Sequence, residues 1–577
     1  MCIVWSGSTL ELDSCNLGPL AVIAPLLEKM DVSAIIDRHL PPDPQLEFSH
    51  GRVLSLLLAG RLCEPLALVN VSDWAERSGG EFLWNIPADK LNDDRLGRAL
   101  DAFFTQRHSI LASVAAHVIQ TFKLPMDRLH YDTTHLLMCG AYENSQPRPD
   151  ELPLPPVTSS AHFPPAHITY GYAAPDTKMV HVGLCSIVDD LGAVPIFGHT
   201  IAGNHNGKTA INEQFQLLEK YLQPESFLMI SDRGTYSAAQ VARFERAGHR
   251  VLCSVPWQEF RPLFAEHRER LFWNRASFLS VEQKRRRDSN STLPKEYNEL
   301  AVLRHQITDP ETGEIVPCRV IFVFSSADQK VCQKERERTT AKIRQELDRI
   351  ARNVTLGYTA YHDHARIGRQ VLKVLGKRAA ARYFRWELTP LTPAERAALP
   401  PPGRSCRLAT HRFVYHYDEA AAQRDATEDG YSALLTTEPL TRSADTLFTY
   451  FKQQTYVEQG HHQFKGPLQT RPVFLKSPER VEALVYLLKL ALMGYHLIQR
   501  RYREAVPADA PVREKRMTTE NILRAFRTYA LVKKATSIGC VVQPTRLTSR
   551  QRQILTRLNF ATPAQILRKH LPPYPDD

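Results

Sequence analysis

Three acidic residues sit where a strand or helix pattern would aim each at one pocket: Asp132 in HYDTTHLLM, Asp232 in FLMISDRGTYS and Glu458 in QQTYVEQGHHQFKGPLQTRPV. Alternation of Leu129, Tyr131 and Thr133 against His130, Asp132, Thr134 and Leu136 predicts a strand that carries the Asp132 carboxylate on one sheet face. Asp232 closes a short apolar run and is followed at once by Arg233-Gly234, a strand leaving its sheet into a turn, where open α/β sheets keep their sites. Glu458, His462 and Lys465 recur at i, i+4 and i+7 and share one helix face. A lone carboxylate in an apolar strand is costly unless a cation or donors balance it, and three in one pocket repel strongly. An all-oxygen site of this kind suits Mg²⁺ or Mn²⁺, and the chemistry expected of it is metal-assisted attack on a phosphodiester, with the lysine holding phosphate.

Those residues need a sheet and a helix to hold them, and 577 residues are too many for one core. Amphipathic stretches such as PLAVIAPLLEKMDVSAIIDRHL predict an all-helical amino-terminal domain over residues 1–120, with Asn92 capping a helix and Asp93 and Asp94 in its first turn. From about 125 to 256 the pattern changes to three strands, a helix, a strand, a helix and a strand, interrupted early by a Pro-rich loop near Pro147–Pro165. Residues 257–428 read as a mixed, strand-rich insertion that carries a basic run, Lys284-Arg285-Arg286-Arg287, and a highly charged helix. The core resumes over 429–500 with the glutamate helix and a long amphipathic helix, and 501–577 read as a basic helical tail.

Composition narrows the function classes. The 43% apolar and 23% charged fractions are ordinary for a folded globular chain. No window holds the roughly 18 uninterrupted apolar residues of a membrane span, and the amino terminus lacks the basic and apolar regions of a signal peptide, so a cytoplasmic protein is expected. Ten cysteines without a CxxC pair or Cys/His cluster argue against zinc, and Cys185 and Cys253 read as small buried hydrophobes. The net charge of +11 is uneven: residues 1–120 hold 9 Lys/Arg against 15 Asp/Glu, and residues 440–577 hold 23 against 10. A polyanion is therefore the expected partner, met by the carboxyl-terminal part.

HYDTTHL, the GNHNGKTA loop, MISDRGTYS, DGYSALLTT and YVEQGHHQFKGPLQTRPVFLKSPERVEALVYLLKLAL, in this order, resemble a bacterial insertion-sequence transposase of the DDE type. The resemblance implies a ribonuclease-H-like α/β core interrupted by a strand-rich insertion and preceded by a helical domain, acting on double-stranded DNA, at the nucleoid, as a homodimer assembled on transposon ends and target. It implies that Asp132, Asp232 and Glu458 hold two Mg²⁺ or Mn²⁺ ions and that Lys465 holds DNA phosphate; the charge excess after residue 440 adds the expectation that Lys465, Arg471, Lys476 and Arg480 track the DNA backbone. The tyrosine and arginine that such proteins carry upstream of the glutamate on its helix are here Phe451 and Gln454, with Tyr456, Lys452 and His462 as substitutes for phosphate clamping. Relatives use an insertion-domain tryptophan to receive a flipped base, and Trp273 and Trp386 are the candidates by location, outside any matching motif and set against the favoured reading of both as buried core tryptophans. A catalytically silent DNA-binding remnant and a nuclease of the same fold are the alternatives.

Overall fold

The computed structural model describes residues 4–570 apart from 6–7, 10–11, 65, 148–162, 172–173, 206, 281–282, 285–295, 377, 402–406, 467, 469–474 and 537–538. Most of the Pro147–Pro165 loop, the arginines 285–287 and Arg471 lie outside the described residues. The fold is mixed α/β, and the chain divides into two compact units, one of residues 1–254, 305–318 and 435–577, the other of residues 255–304 and 319–434.

Within the first unit, the strand Arg128–Leu137 lies between two neighbours of opposite sense. It pairs antiparallel with Ala174–Asp189 and parallel with Leu228–Ser231, which in turn pairs parallel with Arg250–Ser254. Gly192–Ala202 pairs antiparallel with the far edge of Ala174–Asp189. These central strands are buried along most of their length, because helices cover both faces. The helix Gly207–Leu222 packs on one side, and the helices Gln454–Lys465 and Pro478–Glu504 also pack against the sheet.

Among the described residues six α-helices of 5 to 30 residues run from Leu20 to Phe122, ending with the 30-residue helix Asp93–Phe122. Asn92 caps that helix by accepting from Arg95 N at 2.8 Å, and Asp93 and Asp94 fill its first turn. The all-helical expectation for residues 1–120 fails at the start. Leu12–Cys15 is a strand, and it pairs antiparallel with Leu531–Lys534, which also forms a hairpin with Gly539–Pro544. The basic tail is therefore not purely helical either. A four-residue strand has too little periodicity to show itself, and its partner lies at the other end of the chain.

The helix Pro478–Glu504 is long and apolar enough by itself to cross a membrane, yet its apolar window is wholly buried inside the protein. It packs against Asp93–Phe122, Gly192–Ala202 and His50–Cys63. Its Glu482 accepts from Arg107 Nε at 2.7 Å, with side chains 3% and 0% exposed, and from the backbone N–H of Ala166. Arg107 also stacks over Phe104 and donates to Phe104 O and Phe163 O.

Within the second unit, the helices Ser326–Thr355 and His364–Leu375 and the hairpin Phe384–Pro390/His411–Tyr417 share a core of Ile343, Leu347, Ile350, Ile367, Val371 and Phe413. A second cluster joins Phe264 to Trp257, Trp273, Phe322 and Tyr431.

Removing one partner of the Arg107–Glu482 pair strands a buried charge, which costs about 3–5 kcal/mol. Glu482→Ala should therefore shift the urea midpoint of the first unit sharply downward. An exposed pair such as Arg38–Asp31, broken by Arg38→Ala, should move it by less than about 1 kcal/mol.

Candidate functional site

Asp132 and Asp232 come together through strand register. Tyr131 stands opposite Ser231 on neighbouring parallel strands, and each aspartate is the next residue along. Asp132 lies within its strand, whereas Asp232 has just left the sheet and opens a single turn, Arg233–Thr235. Asp232 Oδ1 accepts from Arg233 N and from Ser254 Oγ, each at 2.7 Å. Ser254 reaches it because Ser231 is also registered with Cys253 on the next parallel strand.

Glu458 lies on the helix Gln454–Lys465. Gln454, Val457, His461 and Phe464 are buried, a spacing of three, four and three that lays one seam of the helix on the sheet. Val457 packs on Val188 and Ala193. Glu458 and His462 are exposed, so the glutamate sits on the rim of that seam.

The three carboxylates feel one another. The Asp132 carboxyl is pushed up to about 6, first by desolvation and then by repulsion from Asp232 and Glu458; the Thr133 N–H at 2.8 Å and the Gln454 amide oppose the rise. Its side chain is nevertheless 27% exposed, enough for a cation to reach. His461 Nδ1 lies 3.5 Å from Asp132 Oδ2, but burial, then Lys465 and His496, hold its pKa down to about 4. The imidazole is neutral at pH 7 and does not offset the carboxylate charge. Among the described residues no three His, Cys, Asp or Glu side chains are closed into a ready ligand group. The donor set and the raised Asp132 carboxyl are nonetheless of the kind that a hard divalent cation relieves.

Residues 12–116 match the model of a domain of unknown function, DUF4277. The match covers the short strand and the helices before the sheet and ends ahead of all three carboxylates. A comparison with curated proteins finds no match.

Other expected residues fall in varied places. Lys465 ends the glutamate helix and depresses both His461 and His181, so its charge reaches the carboxylate pocket. Lys476 is exposed ahead of the long helix. Arg480, expected to follow a DNA backbone, instead makes a two-pronged pair with Asp101 at 2.8 and 2.7 Å. Lys533 pairs with Asp13 and Glu81, and Lys569 with Glu28, so part of the carboxyl-terminal charge excess neutralises the acidic amino-terminal segment. Phe451 is not on the glutamate helix, because the turn at Gln453 leaves it on Ala444–Lys452. Tyr456 packs against the Val457 cluster, and Lys452 lies over the Phe448 ring. Trp273 and Trp386 are partly buried, Trp273 beside Phe264 and Tyr431, Trp386 beside Phe413. Sequence reasoning missed Ser254, His130 and the inward-facing role of Gln454; only the four-residue spacing of Gln454 from Glu458 signals it.

A carboxyl raised by the fold from 3.8 to about 6 favours the protonated state, so its contribution is fully present below 3.8 and is lost as pH rises through 6. With chelator present, Asp132→Asn should raise the thermal midpoint at pH 8 by about 2 °C or more, and this gain should shrink toward pH 4.5. Calorimetric scans across pH measure it.

Proposed function

We propose that this chain is a DDE transposase with a ribonuclease-H-like core, which cleaves and joins DNA strands at the ends of an insertion sequence. The observation that carries the reading is the register of Tyr131 with Ser231, which sets Asp232, at the exit of its strand, beside Asp132 on the neighbouring parallel strand, against which the helix of Glu458 packs. The strand arrangement supports the fold: a central strand, two antiparallel neighbours in series on one side and two parallel strands on the other. The segment of residues 255–434 between the sheet and the glutamate helix matches an interrupted core.

Two Mg²⁺ or Mn²⁺ ions held by the three carboxylates would polarise the phosphoryl group and stabilise charge on the attacking and leaving oxygens. The chain's own part is positional. Ser254 and the Arg233 N–H fix the Asp232 carboxylate, leaving Oδ2 for a ligand. Lys465, whose charge is felt at His461 beside Asp132, would hold the phosphate being cut. Lys476, exposed ahead of the long helix, is the next cation for the backbone; Arg471, expected beside it, lies outside the described residues. Cutting two ends and joining both to a target requires two such sites, hence a homodimer assembled on double-stranded DNA, at the bacterial nucleoid.

Asp132→Asn, Asp232→Asn and Glu458→Gln should each reduce cleavage of a duplex carrying the element's inverted repeats to background while gel-shift binding persists. Cleavage without strand transfer would mean a nuclease of the same fold; binding without cleavage in the wild type would mean a silent remnant. Mg²⁺ and Mn²⁺ should support the reaction and Ca²⁺ should not, since its looser shell does not hold a compact two-ion arrangement.

Lys465→Ala should lower the slope of log K against log salt by roughly one unit, the loss of one phosphate contact. Arg38→Ala should leave that slope unchanged. The reverse pattern in titrations at several salt concentrations would make the amino-terminal helices the principal DNA clamp.

A further inference from the structure

Gln454 opens the helix of Glu458, one turn before the glutamate, and is 8% exposed. Its Oε1 lies 2.7 Å from His130 Nδ1, its Nε2 lies 3.5 Å from Tyr131 O, and its amide also donates toward the Asp132 carboxylate. One side chain thus meets three consecutive residues of the strand that carries Asp132.

The bonding roles follow from chemistry. A backbone carbonyl only accepts, so the amide nitrogen faces Tyr131 O and the amide oxygen faces His130. His130 is fully buried, and the Gln454 amide oxygen only accepts, so the ring must present a hydrogen to it. That hydrogen sits on Nδ1, where it donates to Gln454 Oε1. The pair fixes both the rotation of the helix and its position along the strand at the residue one turn from Glu458. His461 against Asp132 is a second point of contact along the same seam.

We propose that Gln454, held by His130, is a positioning residue that sets the distance between Glu458 and Asp132 for a divalent cation. This rests on the reading of the three carboxylates as metal ligands. Gln454 touches no substrate; it acts through the helix.

The test is Mn²⁺ binding to the purified full chain, followed by electron paramagnetic resonance without DNA, so that no turnover is needed. Asp132→Asn should weaken Mn²⁺ strongly; if it does not, the ligand reading itself fails and the proposal with it. If Asp132→Asn weakens Mn²⁺ and Gln454→Met, which keeps the volume but not the hydrogen bonds, binds like wild type, the clamp alone is overturned. The expected result is a loss of about 10-fold or more for Gln454→Met, the range for removing a partner that orients a ligand.

His130 variants guard against a folding failure at 454. His130→Leu should lose about as much as Gln454→Met, whereas His130→Asn, which retains an N–H donor near Nδ1, should stay within about twofold of wild type. The double variant His130→Leu/Gln454→Met should be no weaker than Gln454→Met alone, because the bond that His130→Leu removes is already lost there. Losses that add, or a His130→Asn protein as weak as His130→Leu, would mean packing alone and overturn the proposal.

Discussion

An apolar helix in a protein interior has no preferred rotation unless something polar on it must meet a fixed partner. Pro478–Glu504 carries three such demands. Glu482 needs Arg107, Arg500 pairs with Asp189 at 2.6 Å, and His496 donates to the backbone at Ala193. Each buried polar group is costly unless matched, so only one rotation of the helix meets all of them. The helices before the sheet, the sheet itself and the glutamate helix all rest against this one element. Gly460 makes the last contact close, since a Cβ there would stand 3.4 Å from His496 Nε2.

Much of this arrangement was legible locally. Strand alternation located Asp132, the apolar run ending in Ser231 located Asp232, and helical spacing located Glu458, because period and turn chemistry are properties of a few neighbouring residues. The capped start of the helix at Asn92 was legible for the same reason. What stayed hidden was pairing across sequence distance. His130 meets Gln454 over 324 residues and Arg107 meets Glu482 over 375, and nothing local in either partner names the other.

Charge shows the same limit from the other direction. The contrast between an acidic start and a basic end suggested a surface for a polyanion, and Lys476 is exposed. Arg480, Lys533 and Lys569 are spent on Asp101, Asp13, Glu81 and Glu28 within the first unit. A count along the chain treats every cation as available; only the fold shows which carboxylates lie beside them.

The separation of the carboxylates along the chain has a consequence for the order of events during synthesis. Asp132 precedes Glu458 by 326 residues. At about 5–20 residues per second a ribosome needs roughly 16–65 s to cover that stretch. For that interval the strands holding Asp132 and Asp232 exist without the third carboxylate, without Gln454 for His130, and without the buried helix that everything rests on. The candidate site cannot assemble on a nascent chain. Whatever chemistry it performs begins only after Glu458 and the helix Pro478–Glu504 have been made, and a product terminated before them would keep the helical amino-terminal segment while lacking the pocket.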